Sequence, residues 1–193
     1  MVWLVAGLGN PGDRYATSRH NLGRMVVDEL ARSEGERLKK VRFLPAEAAE
    51  IRCADERVIL AGSTRFMNES GPTYAQLAKK HGVDLDHLIA VHDELDISEG
   101  TLRMKLGGGA GGHNGLKSLQ QALRSPDFLR VRVGIGRPPG RQDPADFVLE
   151  PTPKRMEADI AILVGHAADA VRSLISEGLE AAQDRFNRSG PPI

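Results

Sequence analysis

Residues 5–21 read V-A-G-L-G-N-P-G-D-R-Y-A-T-S-R-H-N, and Gly7, Gly9 and Gly12 set out G-x-G-x-x-G directly after an apolar run. That spacing is the written form of a dinucleotide-binding turn, in which the last glycine leads into a helix whose N-terminus meets a pyrophosphate. An acid some 20 residues on, closing the second strand, would hold the ribose. Neither condition is met. Pro11 biases Asn10 towards an extended conformation, and Tyr15 to His20 carries no helical stripe, so the helix begins well after Gly12. Asp28 and Glu29, the acids at the right distance, fall within that helix. The stretch is therefore a strand, Val2 to Ala6, then a long polar loop, then an amphipathic helix over 21–33 with Leu22, Met25, Val26 and Leu30 on one face.

The same alternation continues. Residues 41–61 predict two strands joined near Ala54-Asp55-Glu56, and Ser70 is placed to cap a helix carrying Tyr74, Leu77 and Ala78. Leu88 to Val91 predicts a buried strand running into His92-Asp93-Glu94-Leu95-Asp96. Thr101 to Leu106 predicts another, followed by the glycine run 107–112 and a helix over 114–123. Leu129 to Ile135 predicts a strand, and Met156, Ile160, Leu163, Val164, Ala167, Val171, Leu174 and Ile175 trace one face of a long helix. Strands alternating with helices predict an α/β fold: a single-domain three-layer sandwich over 1–188 with a mixed, largely parallel twisted sheet, and a flexible tail at 189–193.

With 193 residues and 26 bases against 26 acids, the chain has no net charge to coat nucleic acid indiscriminately. The distribution is uneven, however. From Arg103 to Arg141 there are eight basic residues and one acid, Asp127, which predicts a local surface for phosphates. Cys53 is the only cysteine, excluding an intramolecular disulfide, and no stretch approaches the roughly 18 apolar residues of a membrane span. A soluble, untargeted protein of the reducing cytoplasm is expected.

Polar residues gather where an open α/β sheet binds ligands: Asn10, His20 and Asn21, then F-M-N-E-S-G at 66–71, H-D-E-L-D at 92–96 and G-G-H-N-G at 111–115. Together with R-V-G-I-G-R-P at 132–138, these segments follow one another in the order found in bacterial peptidyl-tRNA hydrolases, which the chain resembles from Val5 to about Leu149. Two departures are Ser18, where threonine is commoner, and Ser63-Thr64-Arg65 ahead of Phe66.

The resemblance implies hydrolysis of the ester joining a peptide to the terminal ribose of tRNA. It implies His20 as the base that activates water and Asp93 as the acid orienting it. Asn10, Tyr15, Met67, Asn68 and Asn114 would meet the substrate, the amides supplying donors for a carbonyl that becomes an oxyanion. Lys105 and Arg132 would clamp the tRNA 5′ phosphate, with Lys117 a weaker candidate, and the glycine run would form part of a gate. No cofactor, metal or obligate protein partner is expected, and the resemblance implies a monomer whose partner is peptidyl-tRNA. The residues leave other chemistries in view. His92, Asp93, Glu94 and Asp96 could ligate a divalent cation, and an RNA-binding module without hydrolysis could share the fold. The glycine run lacks the ending of a P-loop, and no G-x-S-x-G elbow exists for a serine nucleophile.

Overall fold

The computed structural model describes residues 1–187; the tail expected at 189–193 lies outside them. Seven strands form one sheet: β1 (Val2–Gly7), β2 (Lys39–Lys40), β3 (Ala46–Cys53), β4 (Glu56–Ser63), β5 (Leu88–Glu94), β6 (Leu102–Leu106) and β7 (Leu129–Gly134), in the order β2-β3-β4-β1-β5-β7-β6. β1 pairs in parallel with both β4 and β5, and β5 with β7, while β3 and β6 run against their neighbours. The centre is thus parallel and the antiparallel strands lie towards its edges, matching the mixed sheet expected.

Helices cover both faces. On one side α1 (Leu22–Ser33) and α5 (Glu157–Glu177) close over Val5, Leu60, Val91 and Val131; on the other α2 (Gly71–His81) and α3 (Asn114–Leu123) close over Leu4, Ala6, Ile59 and Ala90. Consecutive β1 residues fall in opposite clusters because a strand's side chains alternate. Leu4, Val5 and Ala6 are all fully buried, as a central parallel strand requires.

Gly7 of the opening motif and Gly23 at the start of α1 serve packing. A Cβ on Gly23 would stand 2.0 Å from the Val91 carbonyl oxygen, and one on Gly7 would stand 2.5 Å from that of Gly23. The N-terminus of α1 therefore rests directly on the ends of β1 and β5, and the glycines permit this approach rather than that of a phosphate. Two 3-10 turns, Asp13–Tyr15 and Arg19–Asn21, occupy the loop before α1. The hairpin falls where expected: Ala54 and Asp55 both have positive φ, the geometry of a two-residue turn that matches strand twist.

Some elements depart from expectation. β3 starts only at Ala46, after Pro45, which has no N–H to give a ladder. Ser70 caps nothing: a 3-10 turn at Met67–Glu69 leaves it helical in backbone, and its hydroxyl donates to the Met67 carbonyl at 2.8 Å. Two short helices went unanticipated, α4 (Pro144–Leu149) and α6 (Leu179–Phe186), the latter beginning after Gly178 breaks the line of α5. Among the described residues no helix is long and apolar enough to cross a membrane.

Candidate active site

The site lies beyond the carboxyl ends of β1 and β5, which the sheet order makes neighbours. The loop after β1 brings Asn10, Tyr15 and His20; β5 ends in Asp93; the turn before α2 brings Met67 and Asn68; and the start of α3 brings Asn114. His20 Nδ1 lies 2.9 and 3.0 Å from the two oxygens of Asp93, both residues being buried. An ionised carboxylate can only accept, so Nδ1 carries the proton. The opposite nitrogen, Nε2, has no protein partner among the described residues.

His113, within the G-G-H-N-G segment but given no role by local pattern, completes the arrangement. Its Nε2 lies 2.8 Å from Asp93 Oδ1, while its Nδ1 accepts from the backbone N–H of Gly115 and Leu116 at 3.1 and 3.3 Å. One ring thus caps α3 and donates to the carboxylate, an assignment that fixes it as neutral with its hydrogen on Nε2. The cap of α3 is thus His113, and Asn114 is the first helical residue. Burial of Asp93 opposes ionisation, but the electrostatic attraction of the two imidazole N–H groups and the hydrogen bonds they donate outweigh it and hold the carboxyl well below the ordinary carboxylate range.

Asn10 is fixed from behind. Its backbone N–H donates to Asn21 Oδ1 at 2.8 Å, and its carbonyl accepts from Asn21 Nδ2 at 2.9 Å. The Asn10 side-chain carbonyl accepts from the Met67 N–H at 2.8 Å, which leaves its Nδ2 as the group available to a ligand. Asn21 was legible only as one more polar residue at the mouth of the sheet; its function is to lock its neighbour.

Two connected hollows meet at His20. One, of about 410 Å³, is lined by Asn10, Tyr15, Phe66, Met67, Asn68 and Asn114, so all five residues expected to meet substrate share it with the histidine. The other, of about 320 Å³, runs past Asp93, Glu94, Gly111, Gly112 and His113. Ala145 and Val148 of α4 form a wall common to both. This helix is tied to the histidine loop: the Arg19 guanidinium lies 4.1 Å from the centre of the Phe147 ring, and Thr152 N–H donates to the Thr17 carbonyl at 3.0 Å. Asp143 followed by Pro144 is a cap-and-first-turn signal that would have located α4, and Asp143 does accept from Ala145 N–H.

Lys105 and Arg132 lie away from both hollows, on β6 and β7 at the edge of the sheet. The glycine run between them and the site is held at its base, where the buried Arg130 guanidinium donates to the Gly109 carbonyl at 2.7 Å and also to that of Gly108. The four residues considered as a cation site are not drawn together: His92 is buried, its Nδ1 2.8 Å from the Asp93 carbonyl, and Asp96 pairs with Arg137. Among the described residues the three groups that could ligate an ion are His20, Asp93 and His113, with ligand atoms within 4.8 Å of one another. His20 Nδ1 and His113 Nε2 already bond the Asp93 carboxylate, so an ion bound through these atoms would have to replace the pairing that orients His20.

A histidine with one nitrogen bound to a buried carboxylate and the other open to a cleft edged with amides defines, on this α/β sandwich, a site of the hydrolase class. The comparisons specify which. The model of the peptidyl-tRNA hydrolase family matches residues 4–192, and the chain belongs to that family. It is 51% identical to the peptidyl-tRNA hydrolase of Cutibacterium acnes over 195 residues, covering 96% of this chain and 98% of that one. It is 52% identical to that of Kineococcus radiotolerans, covering 96% and 97%. The crystal structure of peptidyl-tRNA hydrolase from Acinetobacter baumannii superposes with a TM-score of 0.90 at 32% identity, over 99% of this chain and 97% of that one.

Proposed function

We propose that this chain hydrolyses the ester between a peptide, or an N-blocked aminoacyl group, and the 3′ ribose of tRNA, with His20 as the general base. The observation that carries the reading is the His20–Asp93 pair, which engages Nδ1 and leaves Nε2 without a protein partner, on a ring that lines a cleft with three asparagines. A water beside Nε2 gives up its proton to the ring as its oxygen attacks the ester carbonyl, and Asp93 stabilises the imidazolium that forms. The carbonyl oxygen gains charge, for which a neutral amide donor such as Asn10 Nδ2 is suited. Collapse of the tetrahedral species breaks the bond to the ribose oxygen, which takes the proton back from His20. The products are free tRNA and a peptide acid.

Asn10 and Asn68 hold the peptide backbone, Tyr15 and Met67 give apolar contact, and Asn114 positions the water or the last nucleotide. Amides read a backbone without reading side chains, as an enzyme that meets any nascent sequence requires. Lys105 and Arg132 hold the 5′ phosphate, a contact that positions tRNA without distinguishing sequences. The enzyme works as a cytoplasmic monomer without a metal. Release of tRNA from N-acetyl-aminoacyl-tRNA, followed with and without a chelator, tests the reading. Turnover equal under both conditions is expected; binding without release would leave an RNA-binding module, and loss of rate restored by a divalent cation would assign a metal to the His20, Asp93 and His113 cluster.

A further inference from the structure

Four basic residues leave one face of the β6–β7 edge. In the antiparallel register Arg103 stands opposite Arg132 and Lys105 opposite Arg130, and residues two apart on a strand share a face. Diagonal neighbours such as Lys105 and Arg132 lie about 7 to 8 Å apart by strand geometry. Arg130 is 1% exposed, and its guanidinium is given to backbone carbonyls rather than to a carboxylate. Lys105 makes no hydrogen bond or ion pair among the described residues. Burial first, then the charges of Arg132 and Arg130, lower the proton affinity of its ammonium, and Glu94 is the acid that opposes them.

Glu94 ends β5 at the junction of this face and the cleft. Its Oε2 accepts from Arg132 Nε at 3.4 Å, its Oε1 accepts from the Asp96 N–H at 3.3 Å, and it lines the hollow that contains His20 and Asp93. Asp127, the one acid of the basic stretch 103–141, lies instead beside Gly107, at the far end of β6. Arg132 touches Glu94 through Nε, so its remaining N–H groups stay available to a second anion.

We propose that Glu94 is the specificity-tuning counter-ion of the phosphate site, holding Arg132 in the free protein and limiting how tightly a tRNA terminal phosphate is held there. The inference rests on the assignment of Lys105 and Arg132 to that phosphate. A carboxylate at this place partly neutralises the bases before tRNA arrives and repels the phosphate once it is bound. A terminal phosphate carries about −1.5 to −2 at neutral pH against about −1 for an internal one, so the repulsion falls most on the terminal group. Its consequence is release: deacylated tRNA, the product, keeps its 5′ phosphate and must leave for the next turnover.

Glu94→Gln removes the charge while leaving an amide oxygen for the Asp96 N–H. Dissociation constants for deacylated tRNA bearing a 5′-phosphate or a 5′-hydroxyl, measured at fixed salt for wild type, Glu94→Gln, Arg132→Ala and the double variant, decide the matter. Glu94→Gln should tighten the 5′-phosphoryl form about three- to tenfold and the 5′-hydroxyl form less. With Arg132→Ala in the background that gain should fall below about twofold. If Arg132→Ala abolishes the preference for 5′-phosphate while Glu94→Gln leaves both constants unchanged or weakens them, the inference about Glu94 alone is overturned. If Arg132→Ala keeps the wild-type preference, the phosphate assignment falls and the inference with it.

Discussion

Replacing His113 by asparagine separates the two tasks of that ring. Asparagine is among the best helix N-caps, so the N–H groups of Gly115 and Leu116 keep an acceptor, but its side chain is too short to reach Asp93 from the same backbone position. What is lost is the 2.8 Å hydrogen bond to Asp93 Oδ1. Such a bond to a charged group contributes about 1.5 to 3 kcal/mol. His20 still bonds both oxygens of Asp93, so the pair loosens without separating, and roughly half of that bond, about 0.75 to 1.5 kcal/mol, is expected to be missing from transition-state stabilisation. The corresponding loss in kcat/KM is about 4- to 13-fold. His113→Ala should show a similar rate loss but melt lower than His113→Asn, by about 1 kcal/mol for the missing cap. Steady-state hydrolysis of N-acetyl-aminoacyl-tRNA, with thermal melts of each variant, measures both. Wild-type kinetics in His113→Asn would refute the assignment of that ring to Asp93. A far larger rate loss in alanine than in asparagine would show that the cap, not the carboxylate bond, is what matters.

Three further outcomes are expected. Asn10→Asp should keep the acceptor for the Met67 N–H but set a carboxylate where the free amide faces the cleft, and so cost more rate than Asn10→Ala, itself down about a hundredfold for one lost oxyanion donor; equal and normal kinetics in both would reduce Asn10 to a turn residue. Asp93→Asn should be milder than loss of the base, because the ring stays in reach of water while its tautomer is no longer enforced; a worse defect would give Asp93 another role. Burial lowers the His92 pKa from 6.5 to about 3, and unfolding lets that ring take up a proton, so its contribution to stability is complete above pH 6.5 and is lost as pH falls from there to about 3. The loss is roughly 1.4 kcal/mol per pH unit from this group; urea melts at two acidic pH values should show a slope that His92→Gln flattens, and an unchanged slope would contradict the buried neutral state.

Much of this architecture is written in local pattern. Leu22, Val26 and Leu30 are buried along α1 as their spacing requires, and the turn at Ala54-Asp55 joins two strands as its position between apolar runs suggests. The rejection of a dinucleotide site was legible too, because Pro11 and the missing stripe from Tyr15 to His20 are local facts. What sequence could not supply depends on distant partners. His113 becomes meaningful only when the fold sets it against Asp93, 20 residues away, and Asn21 only when it meets both backbone groups of Asn10. Arg130 reads as one base among eight, yet it is buried and fastens the glycine run, which a surface-charge count cannot reveal. Ser70 carries the composition of a cap but not the backbone of one, since the preceding 3-10 turn sets its conformation.

The central claim is that His20 Nε2 removes the proton from the attacking water. Single-turnover hydrolysis of N-acetyl-aminoacyl-tRNA by His20→Ala, with substrate affinity measured on the same preparation, addresses it most directly. A rate reduced by on the order of 10³ or more with affinity close to wild type is the predicted result, because the base acts in the transition state and contributes little to binding. Near wild-type hydrolysis by a normally melting His20→Ala protein would contradict the account.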